Sequence, residues 1–187
     1  MNRYLGFASI LVVALVAWAI AFYILTSFRT PDVPYVHTPP EVVEAMVDLA
    51  ELQPHQVVYD LGCGDGRLVI AAVKRDPTLR GVGIDIDPQR IAEAKQAAEQ
   101  AGVSERIRFV RNDLFREDFR PADAILMYLM TNVNERLIPQ FERLKPGTRI
   151  VSHAFRIPGI RATKTLTVST AQMEHTVHLY ITPLERE

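Results

Sequence analysis

Cysteine is almost absent from this 187-residue sequence, and neither sign of charge dominates it. Cys63 is the only cysteine, so no disulfide can form within the chain. Lysine and arginine number 21 against 22 aspartates and glutamates, which gives a formal net charge of -1, and the basic residues form no stripe. Proteins that bind nucleic acid through its phosphates need such a stripe. We therefore expect neither a disulfide scaffold nor nucleic acid as a partner.

Metal-binding patterns are missing as well. His175 and His178 are three residues apart, which would suit one face of a helix. On the strand predicted in this region they point to opposite faces. No other group of histidines, cysteines or carboxylates has the spacing of metal ligands. The sequence therefore predicts no metal site, and we interpret both histidines as surface residues of a hairpin.

One long apolar run stands near the start of the chain. Residues 5–28 carry no charged side chain, and as a helix these 24 positions would extend about 36 Å, against a hydrocarbon core of about 30 Å. A cleavable signal peptide is the alternative. However, the run continues past the small residues Ala19 and Ala21, and the only basic side chain before it is Arg3. We expect an uncleaved transmembrane helix that anchors the protein in the lipid bilayer.

The remaining chain has the length of one domain with a substantial core. Prolines and polar residues separate it from the apolar run. We therefore predict an N-terminal transmembrane anchor at 1–28, a linker at 29–37 and a catalytic domain at 38–187.

The most informative segment joins a strand pattern to a glycine loop and then to a helix. An apolar run that ends near Asp60 is followed by Gly62, Gly64 and Gly66. Glycines at alternate positions remove the Cβ atoms that would block close approach to the backbone, and they permit the φ angles of a tight turn. A second strand ends in Asp85, whose carboxylate is well placed to hydrogen-bond a ribose. The pattern predicts a cofactor that contains a nucleoside.

The glycine spacing distinguishes two kinds of cofactor. Dinucleotide folds use G-x-G-x-x-G, and Arg67 stands where the last of those glycines would be. The spacing Asp-x-Gly-x-Gly-x-Gly instead resembles motif I of class I S-adenosylmethionine-dependent methyltransferases, and Asn112-Asp113 resembles their adenine-binding motif. The resemblance implies S-adenosylmethionine as cofactor, with its methionine part at the 62–66 loop, its ribose at Asp85 and its adenine amino group at Asp113. Two roles remain open for Asp60, which either braces the loop amides or contacts the cofactor.

A closer resemblance comes from three further segments. These are Tyr35-Val36-His37-Thr38, Asp113-Leu114-Phe115 and Lys145-Pro146-Gly147-Thr148-Arg149. They are similar to segments of the membrane-anchored protein-lysine methyltransferases that modify the ATP synthase c subunit and the adenine nucleotide translocase. The chain departs from that family at His37, where proline is usual, and at Cys63, where serine is frequent. The resemblance implies N-methylation of a lysine of a membrane-associated protein. Because S-adenosylmethionine is made and used on the cytosolic side, we expect the catalytic domain to face the cytoplasm.

Methyl transfer makes few catalytic side chains obligatory, because an in-line displacement mainly needs alignment and the exclusion of water. Tyr35 and Tyr128 are the candidate catalytic residues, and His37 or His153 is a candidate proton relay. The Asn/Asp-Pro-Pro-Tyr motif of amide and adenine-amine methyltransferases does not occur at 127–130. Two alternatives remain open: a small-molecule or lipid methyltransferase, and a catalytically silent protein that only binds the cofactor.

Helix and strand patterns alternate along the domain, and the last two strands alternate polar and apolar residues as a hairpin does. A capping box at Thr38-Pro39-Pro40-Glu41 opens the first predicted helix. Predicted helices span 39–52, 66–75, 88–101 and 132–144, and predicted strands span 56–60, 80–84, 106–110, 122–128, 149–154, 163–169 and 176–182. The fold class is α/β, doubly wound and Rossmann-like. Resemblance implies a seven-stranded sheet in the order 3-2-1-4-5-7-6 with an antiparallel C-terminal hairpin.

Overall fold

A computed structural model describes residues 14–19 and 36–187. The chain divides into two compact units, Met1–Asp32 and Val33–Glu187. In the first unit, residues 14–19 are helical, and their large side chains, Leu15, Val16 and Trp18, are exposed. The second unit holds the sheet and all the elements described below.

The predicted transmembrane helix is wrong. Among residues 14–19 and 36–187, no helix is long and apolar enough to cross a membrane. The structure describes only 14–19 of the predicted span. The rest of the span lies outside the described residues. The predicted bilayer partner and single-pass membrane localisation, which depended on this helix, are corrected with it.

Seven strands form one sheet in the order β3-β2-β1-β4-β5-β7-β6. The first five strands run parallel, and β7 is antiparallel to both of its neighbours. The predicted Rossmann-like sheet with its antiparallel hairpin is therefore confirmed. The strands are β1 (Val57–Leu61), β2 (Arg80–Asp85), β3 (Ile107–Arg111), β4 (Ala124–Met127), β5 (Arg149–His153), β6 (Lys164–Ser169) and β7 (Glu174–Ile181).

Four α-helices connect the parallel strands or precede them: α1 (Pro40–Ala50), α2 (Arg67–Lys74), α3 (Pro88–Gln100) and α4 (Thr131–Phe141). Asp87 caps α3, because its side chain accepts a hydrogen bond from the Gln89 amide. The expected capping box of α1 does not form. The N-cap of α1 is Pro39, with no side-chain cap, and the neighbouring Thr38 is buried.

Two apolar clusters cover the two faces of the sheet. Val58 packs in one cluster with α1 and α2, whereas its strand neighbours Tyr59 and Leu61 pack in the other. The alternation follows from the two-residue period of a strand. Because both faces are covered, the strands contain nearly continuous apolar runs, as parallel sheets require.

The strand order reverses between β1 and β4, which are parallel neighbours at the centre of the sheet. In open α/β sheets, ligands bind beyond the carboxyl ends of the strands at such a reversal. The segments that leave β1, β2, β3, β4 and β5 all begin at this one edge. The fold therefore defines where a site has to be sought.

Tyr180 of β7 fixes the segment that follows β5. Its hydroxyl oxygen accepts a hydrogen bond of 2.9 Å from the Ile157 amide, and both residues are about 1% exposed. The buried amide has no access to water if this acceptor is removed. A single hydroxyl on the sheet thus helps to shape the edge near the site.

We expect Tyr180→Phe to lower the free energy of unfolding by about 1–3 kcal/mol, because it leaves the buried Ile157 amide unpaired. Urea denaturation measures the change. Tyr59→Phe is the matched control: Tyr59 is also buried, but its hydroxyl pairs with the exposed guanidinium of Arg108, which water can solvate. Equal losses in the two variants would contradict this account.

Candidate active site

Backbone hydrogen bonds fix the glycine loop to the end of β2. The amides of Gly62 and Cys63 both donate to the Ile84 carbonyl oxygen at 2.9 Å. Gly62 has a φ of +69°, and a Cβ on it would lie 2.8 Å from Cδ2 of Leu129. A side chain is excluded there by backbone angle and by space. The exposed Gly62 backbone therefore lies directly against the segment that follows β4.

The other two glycines complete the turn into α2. Gly66 has a φ of +77° and donates from its amide to the Cys63 carbonyl at 2.8 Å. A Cβ there would lie 3.1 Å from the Phe109 ring and from Ala94. Gly64 also has a positive φ, of +52°. The loop thus packs closely against the elements that flank it.

Asp85, predicted to bind a ribose, also holds the loop in place. One carboxylate oxygen accepts a hydrogen bond from the Gly64 amide at 2.9 Å, and the other accepts one from the Asp87 amide at 2.9 Å. The Asp85 carbonyl accepts a hydrogen bond from the Asn112 amide at 3.0 Å. These three bonds connect the carboxyl ends of β1, β2 and β3. Sequence reasoning had not foreseen this bracing role.

Asn112 and Asp113 follow β3 at the same edge. The Asn112 side-chain oxygen accepts from the Asp113 amide at 2.9 Å, and its nitrogen donates to Glu117 at 2.6 Å. The Asp113 carboxylate accepts a hydrogen bond from the Phe115 amide at 3.1 Å, so it caps the short 3-10 helix Leu114–Arg116. Both side chains therefore shape the turn beside Asp85.

Asp60 lies beneath the loop and is 1% exposed. Its carboxylate accepts a hydrogen bond from the Val69 amide at 3.3 Å, so it braces the first turn of α2. Burial, with a smaller contribution from the nearby charges of Asp85 and Asp65, raises the pKa of Asp60 to about 8, although the hydrogen bond from the Val69 amide opposes the shift. Of the two roles left open by the sequence, the bracing contact is the one present in the structure.

Arg67 and Asp65 are a feature that sequence analysis missed. The Arg67 guanidinium bonds to the Asp65 carboxylate, with an Nε to Oδ1 distance of 2.9 Å, and donates to the Thr38 carbonyl at 2.9 Å. It also contacts Nδ1 of His37. Arg67 therefore fastens the segment before α1 to the glycine loop. Tyr35, the predicted catalytic tyrosine of that segment, lies outside the described residues.

Tyr128 belongs to an aromatic group beyond the ends of β4 and β5. Its ring centroid is 4.0 Å from that of His153 and 6.1 Å from that of Phe155. His153, the last residue of β5, is fully buried, whereas Tyr128 and Phe155 are half-buried. On the far side, Nε2 of His153 is 3.0 Å from Nδ1 of His175 on β7. These rings lie next to Leu129 and hence to the glycine loop.

Two further residues shape this region, and neither was predicted. Ala154 has a φ of +61°, which is unfavourable for a residue with a Cβ, and the Phe155 amide donates to the His153 carbonyl across it at 2.7 Å. Fully buried Asn134 on α4 donates to the carbonyls of Phe155 and Arg156 at 3.2 and 3.3 Å. A conformation this costly persists only when its surroundings enforce it.

The described residues contain no group of three or more histidines, cysteines, aspartates or glutamates that could hold a metal ion. His178, predicted to be a surface residue, is buried and pairs with Thr165 of β6 at 3.1 Å. The prediction for His178 is therefore wrong, because the hairpin packs β7 into the sheet and does not leave it at the surface.

The edge fits a cofactor built from a nucleoside and an amino acid. Exposed glycine backbone at Gly62 admits a ligand close to the chain, and the carboxylates of Asp85 and Asp113 follow the neighbouring strands. This arrangement, on a sheet whose hairpin strand runs antiparallel, is the one that the sequence resemblance implies for class I methyltransferases.

Comparison with known proteins agrees with this class. The model of the ANTKMT methyltransferase domain family matches residues 60–164. A protein-lysine N-methyltransferase of Saccharolobus islandicus (strain REY15A) is 45% identical over 152 residues, which are 81% of this chain and 94% of that protein. The adenine nucleotide translocase lysine N-methyltransferase of Mus musculus is 33% identical over 68% of this chain and 55% of that protein.

A solved structure is also similar. The RNA methyltransferase from Salinibacter ruber, crystallised in complex with S-adenosyl-L-homocysteine, has a TM-score of 0.73 and 40% identity, over 81% of this chain and 97% of that one. The chain therefore belongs to the ANTKMT methyltransferase family, whose named relatives include protein-lysine N-methyltransferases. It is an enzyme that uses S-adenosylmethionine as its cofactor.

The buried carboxyl of Asp60 should make the cofactor-free protein less stable as the pH rises. Between the ordinary aspartate pKa of about 4 and the raised value of about 8, the folded state holds a proton that the unfolded chain has released. Asp60→Asn cannot ionise in either state. Its free energy of unfolding should therefore fall less than that of the wild type between about pH 5.5 and pH 8.

Urea denaturation at the two pH values measures this difference. Asp76→Asn is the control, because Asp76 is half-buried and hydrogen bonds from Thr78 lower its pKa, so its titration is over below this range. The buried histidines contribute equally to the pH dependence of all three proteins, so their contributions cancel in the comparison. The same pH dependence in Asp60→Asn and in the wild type would exclude the burial argument.

Proposed function

We propose that the protein transfers a methyl group from S-adenosylmethionine to the side-chain nitrogen of a lysine in a protein. The observation that carries the proposal is the alignment with a relative named protein-lysine N-methyltransferase, at 45% identity along 94% of that relative. The catalytic domain of the proposal is 38–187. The family resemblance also implies that the substrate is membrane-associated, but the transmembrane anchor that would confine both partners to one surface is not found among the described residues, so the proposal covers a protein lysine only.

The cofactor roles inferred from the sequence are compatible with the local geometry. We assign the methionine part of the cofactor to the loop of Gly62, Gly64 and Gly66, above buried Asp60. Asp85 would accept the ribose hydroxyls with the lone pairs that its two amide contacts leave free. Asn112 and Asp113 would hold the adenine. When bound, S-adenosylmethionine supplies a methyl group activated by a sulfonium.

The acceptor would enter beside Tyr128. Leu129 touches the glycine loop, so the ring of Tyr128 lies at the border between the loop and the end of β5. A half-buried ring there can line the alkyl chain of a lysine, and its hydroxyl can accept a hydrogen bond from the amine. Tyr35 is proposed for the same purpose from the sequence alone. Alignment and dehydration of the amine would then account for most of the rate enhancement.

A second candidate function follows from the solved relative whose printed name is RNA methyltransferase, at 40% identity. Electrostatics disfavour it for this chain. The formal net charge is -1, and proteins that bind RNA without sequence-specific pockets rely on a basic surface. Protein is therefore the acceptor we propose, and RNA is an outcome of the test.

Purified full-length protein should transfer label from [methyl-³H]S-adenosylmethionine to proteins of cells in which its gene has been deleted. Acid hydrolysis followed by mass spectrometry should identify the product as methylated lysine. The label should resist nuclease and should not extract into organic solvent. Nuclease-sensitive label would support the RNA candidate, extractable label a lipid acceptor, and no transfer despite cofactor binding a silent binding protein. Each of these three results would contradict the proposal.

Asp85→Ala should weaken binding of S-adenosylmethionine about tenfold to a hundredfold, since hydrogen bonds to a charged group contribute about 1.5–3 kcal/mol. Isothermal titration measures the affinity. Asp85→Asn keeps one acceptor oxygen and should lose less. Asp87→Ala is the control: it removes a helix cap one turn away but no proposed cofactor contact. Unchanged affinity in Asp85→Ala would remove Asp85 from the site.

A further inference from the structure

Three buried side-chain polar atoms have no hydrogen-bond partner among the described residues, and they occur in one region. They are Oδ1 of Asn134, Nδ1 of His153 and Nε2 of His175. Buried polar atoms in folded proteins are nearly always paired, and an exception calls for an explanation. All three belong to residues grouped around the carboxyl end of β5, beside the proposed acceptor entrance. Their occurrence in one region indicates a common role.

The two histidines are arranged as a chain of proton carriers. Nε2 of His153 and Nδ1 of His175 share one hydrogen bond of 3.0 Å. The two ring nitrogens that remain, Nδ1 of His153 and Nε2 of His175, are the unpaired ones. A neutral imidazole has one nitrogen that donates and one that accepts. The pair therefore has one free position at each end and a shared proton between them.

The direction of the chain follows from burial. His153 is fully buried under Tyr128, with ring centroids 4.0 Å apart, and it ends the strand next to β4. His175 lies on β7, is half-buried and is two residues from the exposed Met173 of the hairpin turn. The first ring is thus on the proposed acceptor side and the second is nearer to solvent. The hydrogen bond between the rings therefore leads from His153 towards the hairpin turn.

We propose that His153 and His175 form a proton outlet for the methyl acceptor. The inference rests on the proposed lysine methylation, because a lysine ammonium has to lose a proton before it can act as a nucleophile. His153 would take up that proton, and His175 would act through His153 as a positioning and relay residue.

The proton balance is complete without a further reactant. The ammonium gives a proton to Nδ1 of His153, the proton on Nε2 of His153 passes to Nδ1 of His175, and Nε2 of His175 gives up its proton. Both outer nitrogens are buried in the structure, so this transfer requires Tyr128 to move aside for the amine and the hairpin turn to admit water to His175. The neutral amine then forms the N–C bond to the methyl carbon. The C–S bond breaks with its electron pair on sulfur, which leaves a neutral thioether and a methylated ammonium.

The surroundings keep the pair uncharged. Burial, with a smaller contribution from the nearby His175, lowers the pKa of His153 to about 4. The groups that face His153 are the rings of Tyr128 and His175, and no carboxylate contributes to this shift. A neutral imidazole does not repel an approaching ammonium or a sulfonium. His153 therefore passes the proton to His175 and does not remain protonated.

The test compares methylation rates of His175→Gln and His175→Asn with the wild type across pH, using the labelled assay on proteins from gene-deleted cells. An amide can keep the hydrogen bond to His153 but cannot relay a proton. At about pH 7 both variants should lose about a hundredfold in kcat, at the lower end of general acid–base contributions. The loss should shrink as the pH approaches the lysine pKa of about 10.4, where free amine forms without a relay.

Binding of S-adenosylmethionine, followed by titration, should stay unchanged in both variants, which shows that they are folded. His178→Gln is the matched control, because His178 is on the same strand but pairs with Thr165 on the other side of β7. It should retain the wild-type pH profile. A loss of the same size at every pH, or no loss in either His175 variant, would overturn the relay. Absence of methylated lysine with the wild type would instead overturn the proposed function and this inference with it.

Discussion

The site depends on one backbone carbonyl. Ile84 accepts hydrogen bonds from the amides of Gly62 and Cys63, and the adjacent Asp85 carboxylate accepts the amide of Gly64. Three consecutive loop amides are thereby held against the end of the neighbouring strand. Without these bonds a loop of three glycines would have the highest conformational entropy in the domain. The parallel register of β1 and β2 is what brings Ile84 opposite the loop.

The two halves of the site consist of different kinds of chemical group. The cofactor side consists of backbone amides and carboxylates at the ends of β1, β2 and β3. The acceptor side consists of Tyr128, Phe155 and His153 beyond β4 and β5, with little formal charge. Contact between Leu129 and the space above Gly62 joins the halves. Such a division suits a reaction in which one ligand is positioned by hydrogen bonds and the other by shape and dehydration.

Burial also controls charge on both sides. It favours the neutral form of Asp60 under the glycine loop and the neutral form of His153 under Tyr128. A sulfonium near Asp60 would favour the carboxylate form of that residue, whereas the neutral imidazole of His153 accommodates a cationic amine. The fold thus withdraws both titratable groups from solvent. The same burial makes Asp60 a cost to the cofactor-free protein.

The sequence by itself determined the order of strands and helices, the glycine loop, the acids at the strand ends and the family, because these follow from local periodicity and residue spacing. Local patterns were misleading at two other places. An apolar run predicted a membrane helix that the described residues do not contain, and a capping box predicted at Thr38 did not form. Only the tertiary structure decided that Arg67 fastens Thr38 to the loop and that His175 meets His153. These contacts join residues 29 and 22 positions apart, and side-chain pairing over such separations is set by strand register and packing, which no local pattern encodes.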